Sequence, residues 1–332
     1  MMIIYAILIF CLLIFVHELG HYILAKSVGI KVNEFALGMG PLLFHFKKGD
    51  TEYSLRALPI GGFCKMEGED EESSDTAAFN NKPFWAKALV VIAGSAMNLV
   101  LAIVILSIVF MSVGMPTNII KELTPDNPAA VAGMLPGDKI VQIEDKVIRE
   151  WNDITDTIGQ STGDTITVVV ERNGEQLNFE TAVTTAENGR RVIGITPEYG
   201  KNPGKALVLG AQSTVEMGIK MVEVIGQLFT GEVSTKNLTG PVGIVYMVGD
   251  TAKMGIFYLA QLTALISLNL AIVNMLPFPA LDGGRLLFMV IRLFTGKAIS
   301  DETEGKIHFI GIMLLFGLMI YITFQDVGRF IL

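Results

Sequence analysis

Four stretches of the chain stay apolar for about 20 residues, the length that lets a helix cross a bilayer. They lie at about 2–26, 86–113, 254–276 and 308–325. No charge falls between Lys87 and Lys121, and the third stretch stays apolar to Leu281. Elsewhere the period changes. Leu42–Phe46, then Lys47-Lys48-Gly49-Asp50, then Thr51–Arg56 reads as strand, turn and strand. Gly61 and Gly62 follow, and they permit tight or close-packed backbone. The acidic run Glu67 to Asp75 reads as a solvated loop. Residues 115–198 hold no span. There Pro128–Ile140 predicts a short helix, a Pro-Gly turn and a strand, and Trp151–Ile158 has helical spacing. Thr165–Glu171 and 176–182 predict strands joined by an Asn173-Gly174 turn. From Pro203 to Phe229 the apolar positions repeat loosely at helical spacing, broken by Glu216, Lys220 and Glu223. That predicts an amphipathic helix on the membrane or against the spans. Thr239–Ile244 predicts a turn or re-entrant segment.

Composition agrees with a membrane protein: 51% of residues are hydrophobic and the net charge is −8. No basic stripe points to nucleic acid. Cys11 and Cys64 form neither a disulfide framework nor a C-x-x-C site. The N-terminus lacks a basic region and a small-residue cleavage site, so it reads as a retained span. Lys26, Lys31, Lys47, Lys48, Arg56, Lys65 and Lys82 cluster in the first loop, and Arg285, Arg292, Lys297 and Lys306 in the third. The positive-inside rule then places those loops in the cytoplasm and both termini outside the plasma membrane. The expected fold is a polytopic α-helical membrane protein of about four spans. Residues 1–114 hold two spans and a β-loop, 115–198 form an extracytoplasmic α+β insert, and 199–332 hold the amphipathic helix and two more spans.

The candidate chemistry begins at His17-Glu18-Leu19-Gly20-His21, inside the first apolar stretch. Four residues apart on a helix, both imidazoles project from one face and can share a zinc ion. Glu18 can then act as general base. These groups are costly at membrane depth unless they face protein, water or metal. A catalytic zinc takes three protein ligands and keeps one position open. His45 and His308 are candidates for the third, and Asp282 is the better one. It follows Asn274-Met275-Leu276-Pro277-Phe278-Pro279, where two prolines break the helix, and it precedes Gly283-Gly284, which are expected to free the backbone. An acid on irregular backbone near membrane depth needs a partner. The chemistry expected is metal-assisted peptide hydrolysis. Zinc acidifies water to a pKa of about 7 and polarises the carbonyl, and Glu18 carries the proton to the leaving amine. Asn98 needs a partner inside the second span, either an interhelical hydrogen bond or substrate backbone. Asn98 or Asn274 could hold the oxyanion or the substrate strand, and Gly61 and Gly62 lie in a segment that could capture unwound substrate.

Residues 115–198 resemble a circularly permuted bacterial PDZ domain, through Ala129-Ala130-Val131-Ala132-Gly133-Met134-Leu135-Pro136-Gly137-Asp138-Lys139-Ile140. Such a domain implies a peptide ligand or a size filter. The whole chain resembles the site-2 protease family of intramembrane zinc metalloproteases. The resemblance rests on His17–His21, on Asn274–Gly284 as N-x-x-P-x-P-x-L-D-G-G, on Leu58–Met66 as a Gly-Gly re-entrant β-loop, and on Gly94–Asn98 as G-x-x-x-N. The resemblance implies zinc on His17, His21 and Asp282, Glu18 as base, and a site toward the cytoplasmic side of the bilayer. It also implies single-span substrates already trimmed by another protease, such as anti-sigma factors or remnant signal peptides. Two rival readings are a PDZ scaffold with a structural zinc and an ion-coupled transporter. The first would need a fourth ligand, and the second an inverted repeat, and neither is seen in the sequence.

Overall fold

The computed structural model describes residues 1–69, 73–186, 189–232, 238–296 and 301–330, without the side chains of residues 60, 229, 301 and 302. By internal contacts it divides into two compact units, Met1–Ser107 with Leu207–Leu332, and Ile108–Ala206.

In the first unit, α1 (Met2–Ser27) leads into β1 (Val32–Lys48) and β2 (Thr51–Met66), then α2 (Phe84–Val113). Among the described residues, four helices are long and apolar enough to cross a membrane: Met2–Ser27, Phe84–Val113, Ile256–Asn274 and Thr303–Phe330. At 26 residues, α1 is about 39 Å long. Its apolar side chains divide between two surroundings. Ala6, Ile9 and Leu13 are buried, whereas Ile3, Ile4, Leu8 and Leu12 are exposed. Exposed apolar faces of that extent suit lipid.

The β-hairpin is longer than the expected strands at 42–46 and 51–56. Both strands bend, so the first half of β1 pairs on both sides: Ala36 pairs with Phe63 and with Ser54. The bend in β1 uses Gly38 and Gly40, both at positive φ, and a Cβ on Gly38 would lie 2.7 Å from the Leu58 carbonyl oxygen. Residues 62–66 therefore form one outer strand, and no strand among the described residues pairs with their far side. The Gly61-Gly62 segment lies within β2 rather than after it. In the acidic run, residues 70–72 lie outside the described residues. Glu67 accepts hydrogen bonds from Asn33 and Ser73, and Asp75 from the Ala77 N–H, so this segment is tethered rather than merely solvated.

The second unit contains β3 (Met115–Leu123), α3 (Pro128–Val131), β4 (Lys139–Ile143), β5 (Lys146–Val147), α4 (Trp151–Gln160), β6 (Thr165–Arg172), β7 (Glu175–Ala182), β8 (Thr184–Thr185), β9 (Arg191–Val192) and β10 (Ile195–Gly200). The sheet order is β10-β3-β4-β6-β7, with β5 beside β4. Alternation places Ile166, Val168 and Val170 of β6 inward, against Ile154 and Ile158 of α4. Asp138, 1% exposed, accepts from Arg172 Nε and Nη2 at 2.7 Å each and from the Leu135 N–H at 2.8 Å. Burial pushes the Asp138 carboxyl up, but the Arg172 hydrogen bonds prevail and hold it below the usual carboxylate range. Its contribution is present above the unfolded value of about 3.9 and is lost as pH falls through the lower folded value. Asp138→Ala is expected to destabilise this unit by about 1.5–3 kcal/mol, since charged hydrogen bonds are lost and Arg172 keeps its charge. Hydrogen exchange of the β4 and β6 amides at neutral pH measures this.

The chain then forms α5 (Pro203–Thr230), α6 (Pro241–Met254), α7 (Ile256–Asn274), α8 (Asp282–Thr295) and α9 (Asp301–Phe330). Two expectations are corrected here. Residues 241–244 begin a helix rather than a turn. Pro241 sits at the first helical position, where its missing N–H costs nothing. Asp326 of α9, 1% exposed, accepts hydrogen bonds from the Gly240 and Gly243 N–H groups and so caps α6. Asp282 is likewise the first residue of a helix rather than a point on irregular backbone. Gly283 and Gly284 serve close approach. A Cβ on Gly283 would lie 2.3 Å from the Met275 and Leu276 carbonyl oxygens, and one on Gly284 2.3 Å from that of Phe278.

Candidate metal centre

On α1, His17 and His21 are buried one turn apart, 7% and 8% exposed. Helix α2 crosses α1 closely here. A Cβ on Gly20 would lie 2.3 Å from the Ala93 carbonyl oxygen, and one on Gly94 2.4 Å from His21 Nε2. The Pro-broken end of α7 brings α8 back so that Asp282 reaches the same place. His17 Nε2 and His21 Nε2 are 3.3 Å apart, and they lie 3.2 and 3.5 Å from Asp282 Oδ2. Among the described residues these three form the one cluster of His, Cys, Asp and Glu with metal-ligand spacing.

The donor set fits zinc. Tetrahedral ligands with bonds of about 2.0–2.1 Å are about 3.3–3.4 Å apart, which the three distances match. His21 Nδ1 lies 2.8 Å from the Val90 carbonyl oxygen, which can only accept. The proton therefore sits on Nδ1 and the Nε2 lone pair points into the cluster. Asp282 Oδ2 is buried without a satisfactory hydrogen bond.

The other expected residues lie as follows. Glu18, half-buried, lines a cavity of about 490 Å³ with His17, His21, Asp282 and residues 63–66 of the outer strand. Glu69 and Arg285 stand at the same cavity and form an ion pair, which links the segment after β2 to the first turn of α8. Asn98 is fully buried, its Nδ2 3.3 Å from His17 Nδ1, and its backbone carbonyl accepts from Ser267 Oγ. Asn274 Nδ2 lies 3.5 Å from His17 Nε2. Gly62 backs onto α1, where a Cβ would lie 3.4 Å from Glu18 Cγ, and Gly61 turns the strand at φ +92°. His45 pairs with Glu52 on the hairpin at 2.7 Å. His308 accepts the Ala280 N–H. Neither of these two histidines joins the cluster.

Sequence reasoning missed Glu69, Arg285 and the proximity of Gly94 to the two imidazoles. The G-x-x-x-N spacing places Gly94 and Asn98 on one face of α2, which is the available sign for the last.

A family model described as Peptidase family M50 matches residues 5–318. The chain belongs to peptidase family M50. A Clostridium acetobutylicum protein is 38% identical over 331 residues, covering 98% of this chain and 97% of that protein. Zinc metalloprotease RasP of Geobacillus kaustophilus is 34% identical over 416 residues, covering 98% and 97%. The regulator of sigma-W protease RasP of Bacillus subtilis is 33% identical over 413 residues, covering 98% of each. As a member of this site-2 protease family, the chain is a zinc metalloprotease and a multi-pass membrane protein. The crystal structure of a PDZ domain from an SdrC-like protein of Listeria monocytogenes aligns with 25% of this chain and 87% of its own, at 23% identity and a TM-score of 0.23.

Proposed function

We propose that this M50 peptidase hydrolyses a peptide bond in or near the transmembrane segment of single-span membrane proteins. Trimmed anti-sigma factors and remnant signal peptides are the substrate classes proposed. The observation that carries the reading is one cavity holding His17, His21, Asp282 and Glu18, with residues 63–66 of the outer strand as its other wall.

In this reading His17, His21 and Asp282 hold zinc, which when bound polarises the scissile carbonyl and acidifies water. Glu18 takes the proton from the attacking water and delivers it to the leaving amine nitrogen. A peptide bond within a helix is shielded by its own turn, so the substrate unwinds before cleavage. The outer strand then offers main-chain partners for the extended segment. Gly62 brings that strand close to Glu18, Gly61 sets its bend, and Asn274 holds the substrate carbonyl beside His17. Asn98 has no exposed surface for substrate. With its amide flipped end for end, so that the oxygen rather than Nδ2 faces His17, Asn98 accepts a hydrogen bond from Nδ1–H and leaves Nε2 for the metal.

By the positive-inside rule, the Lys and Arg residues favour residues 28–83 and the segment between the third and fourth spans in the cytoplasm, with both termini outside. Residues 115–198 then form an extracytoplasmic PDZ-like module between the membrane parts 1–114 and 199–332. A cavity of about 990 Å³ in that module, between α4 and residues 189–195, is its proposed peptide site or size filter.

The test is zinc removal. In detergent, a chelator is expected to abolish cleavage of a single-span substrate, and equimolar zinc to restore it. Cleavage that survives complete metal removal overturns the reading.

A further inference from the structure

The backbone before Asp282 is strained. Ala280 takes φ +79°, a region that side chains other than glycine rarely adopt. Something must hold it there, since Asp282 begins α8 only two residues later. The fourth span supplies two contacts from one face, three residues apart. His308 Nδ1 accepts the Ala280 N–H at 2.8 Å. At Gly311 a Cβ would lie 2.6 Å from the Pro279 carbonyl oxygen, so only glycine lets α9 seat this closely on the loop. The ring is steadied in turn. Its Nε2 faces Glu304 Oε1 at 3.7 Å, and Glu304 pairs with Arg292 of α8. The Phe288 ring of α8 packs on it at 5.5 Å.

We infer that His308 is a positioning residue for Asp282: its Nδ1 fixes the strained Ala280 peptide and thereby sets where the third donor enters the metal cluster. The inference rests on the reading of Asp282 as a zinc ligand. The histidine does not touch the metal. It holds the Ala280 backbone, and that conformation decides whether the first turn of α8 starts in register with α1. Any group that accepts a hydrogen bond at the Nδ1 position serves, and an apolar side chain does not.

The experiment uses the full-length protein in detergent with three variants, His308→Asn, His308→Ala and Asp282→Ala. Asparagine keeps an oxygen acceptor near the Nδ1 position, and alanine removes it. Hydrogen exchange of the peptide covering residues 276–284 is followed in the zinc-free protein, and zinc affinity by chelator competition. His308→Ala is expected to speed exchange about tenfold or more and to weaken zinc about 10–100-fold, the usual effect of losing a residue that supports a ligand. His308→Asn is expected to stay within about threefold of wild type on both readouts. Unchanged exchange and zinc affinity in His308→Ala overturn the inference. So does His308→Asn failing as badly as His308→Ala while melting at the wild-type temperature. Asp282→Ala separates the two layers. If it keeps zinc, the ligand assignment itself is wrong. If it loses zinc while His308→Ala retains it, only the role of His308 is wrong.

Discussion

Replacing Glu18 with glutamine is expected to cut the cleavage rate by about 10²–10⁴-fold, the range for loss of a general base, while zinc remains bound one to one. Glutamine has nearly the shape of glutamate and keeps an acceptor oxygen, so the cavity stays intact. What it lacks is the ability to take a proton from water and return it to the amine. Glu18 is beside His17 in the chain and lines the same cavity, yet it is not one of the three clustered donors. Zinc should therefore be indifferent to the change. Single-turnover cleavage of a single-span substrate, together with metal analysis of the same sample, reads both quantities. Wild-type cleavage by the variant places the base elsewhere, and loss of zinc makes Glu18 a ligand.

A second large effect is expected from a single methyl group. Gly94→Ala adds a Cβ at 2.4 Å from His21 Nε2, 2.7 Å from His17 Cε1 and 2.8 Å from His17 Nε2. These distances are all below van der Waals contact. Alanine is the best helix former, so α2 itself loses nothing. The methyl can be accommodated only if α2 retreats or the imidazoles turn, and either displaces the donors by something approaching 1 Å. Misplacement of that size costs about 10²-fold in rate. Gly94→Ala is thus expected to bind zinc at least tenfold more weakly and to cleave about 10²-fold more slowly, with unchanged helix content by circular dichroism. Normal zinc affinity in this variant means that the two imidazoles turn elsewhere when metal binds.

The spans were legible because a bilayer demands about 20 apolar residues together, and few other structures do. His17 and His21 were legible because helical spacing puts both rings on one face. Asp282 could be picked out because a lone acid beside a span is costly, but its helical setting could not. Glycine after an acid usually signals freed backbone, whereas here close packing against the carbonyl oxygens of Met275, Leu276 and Phe278 requires it. Helix α6 was hidden for a related reason. Thr-Gly-Pro-Val-Gly reads as a turn locally, and the cap that favours a helix lies 86 residues away from Gly240. The long bent strands were underestimated because glycines interrupt them and residues 39–48 are exposed on both faces, so alternation is weak.

That distant cap also orders events in time. A helix begins with N–H groups that have no partner within it, and two at the start of α6 find theirs on Asp326. During synthesis α6 and α7 are complete well before Asp326 leaves the ribosome. The last span then carries the Asp326 carboxylate to the Gly240 and Gly243 N–H groups, which lack partners within α6 until it arrives. The start of α6 and the fourth span therefore settle as one event, since neither the N–H groups nor the buried carboxylate finds its partner alone.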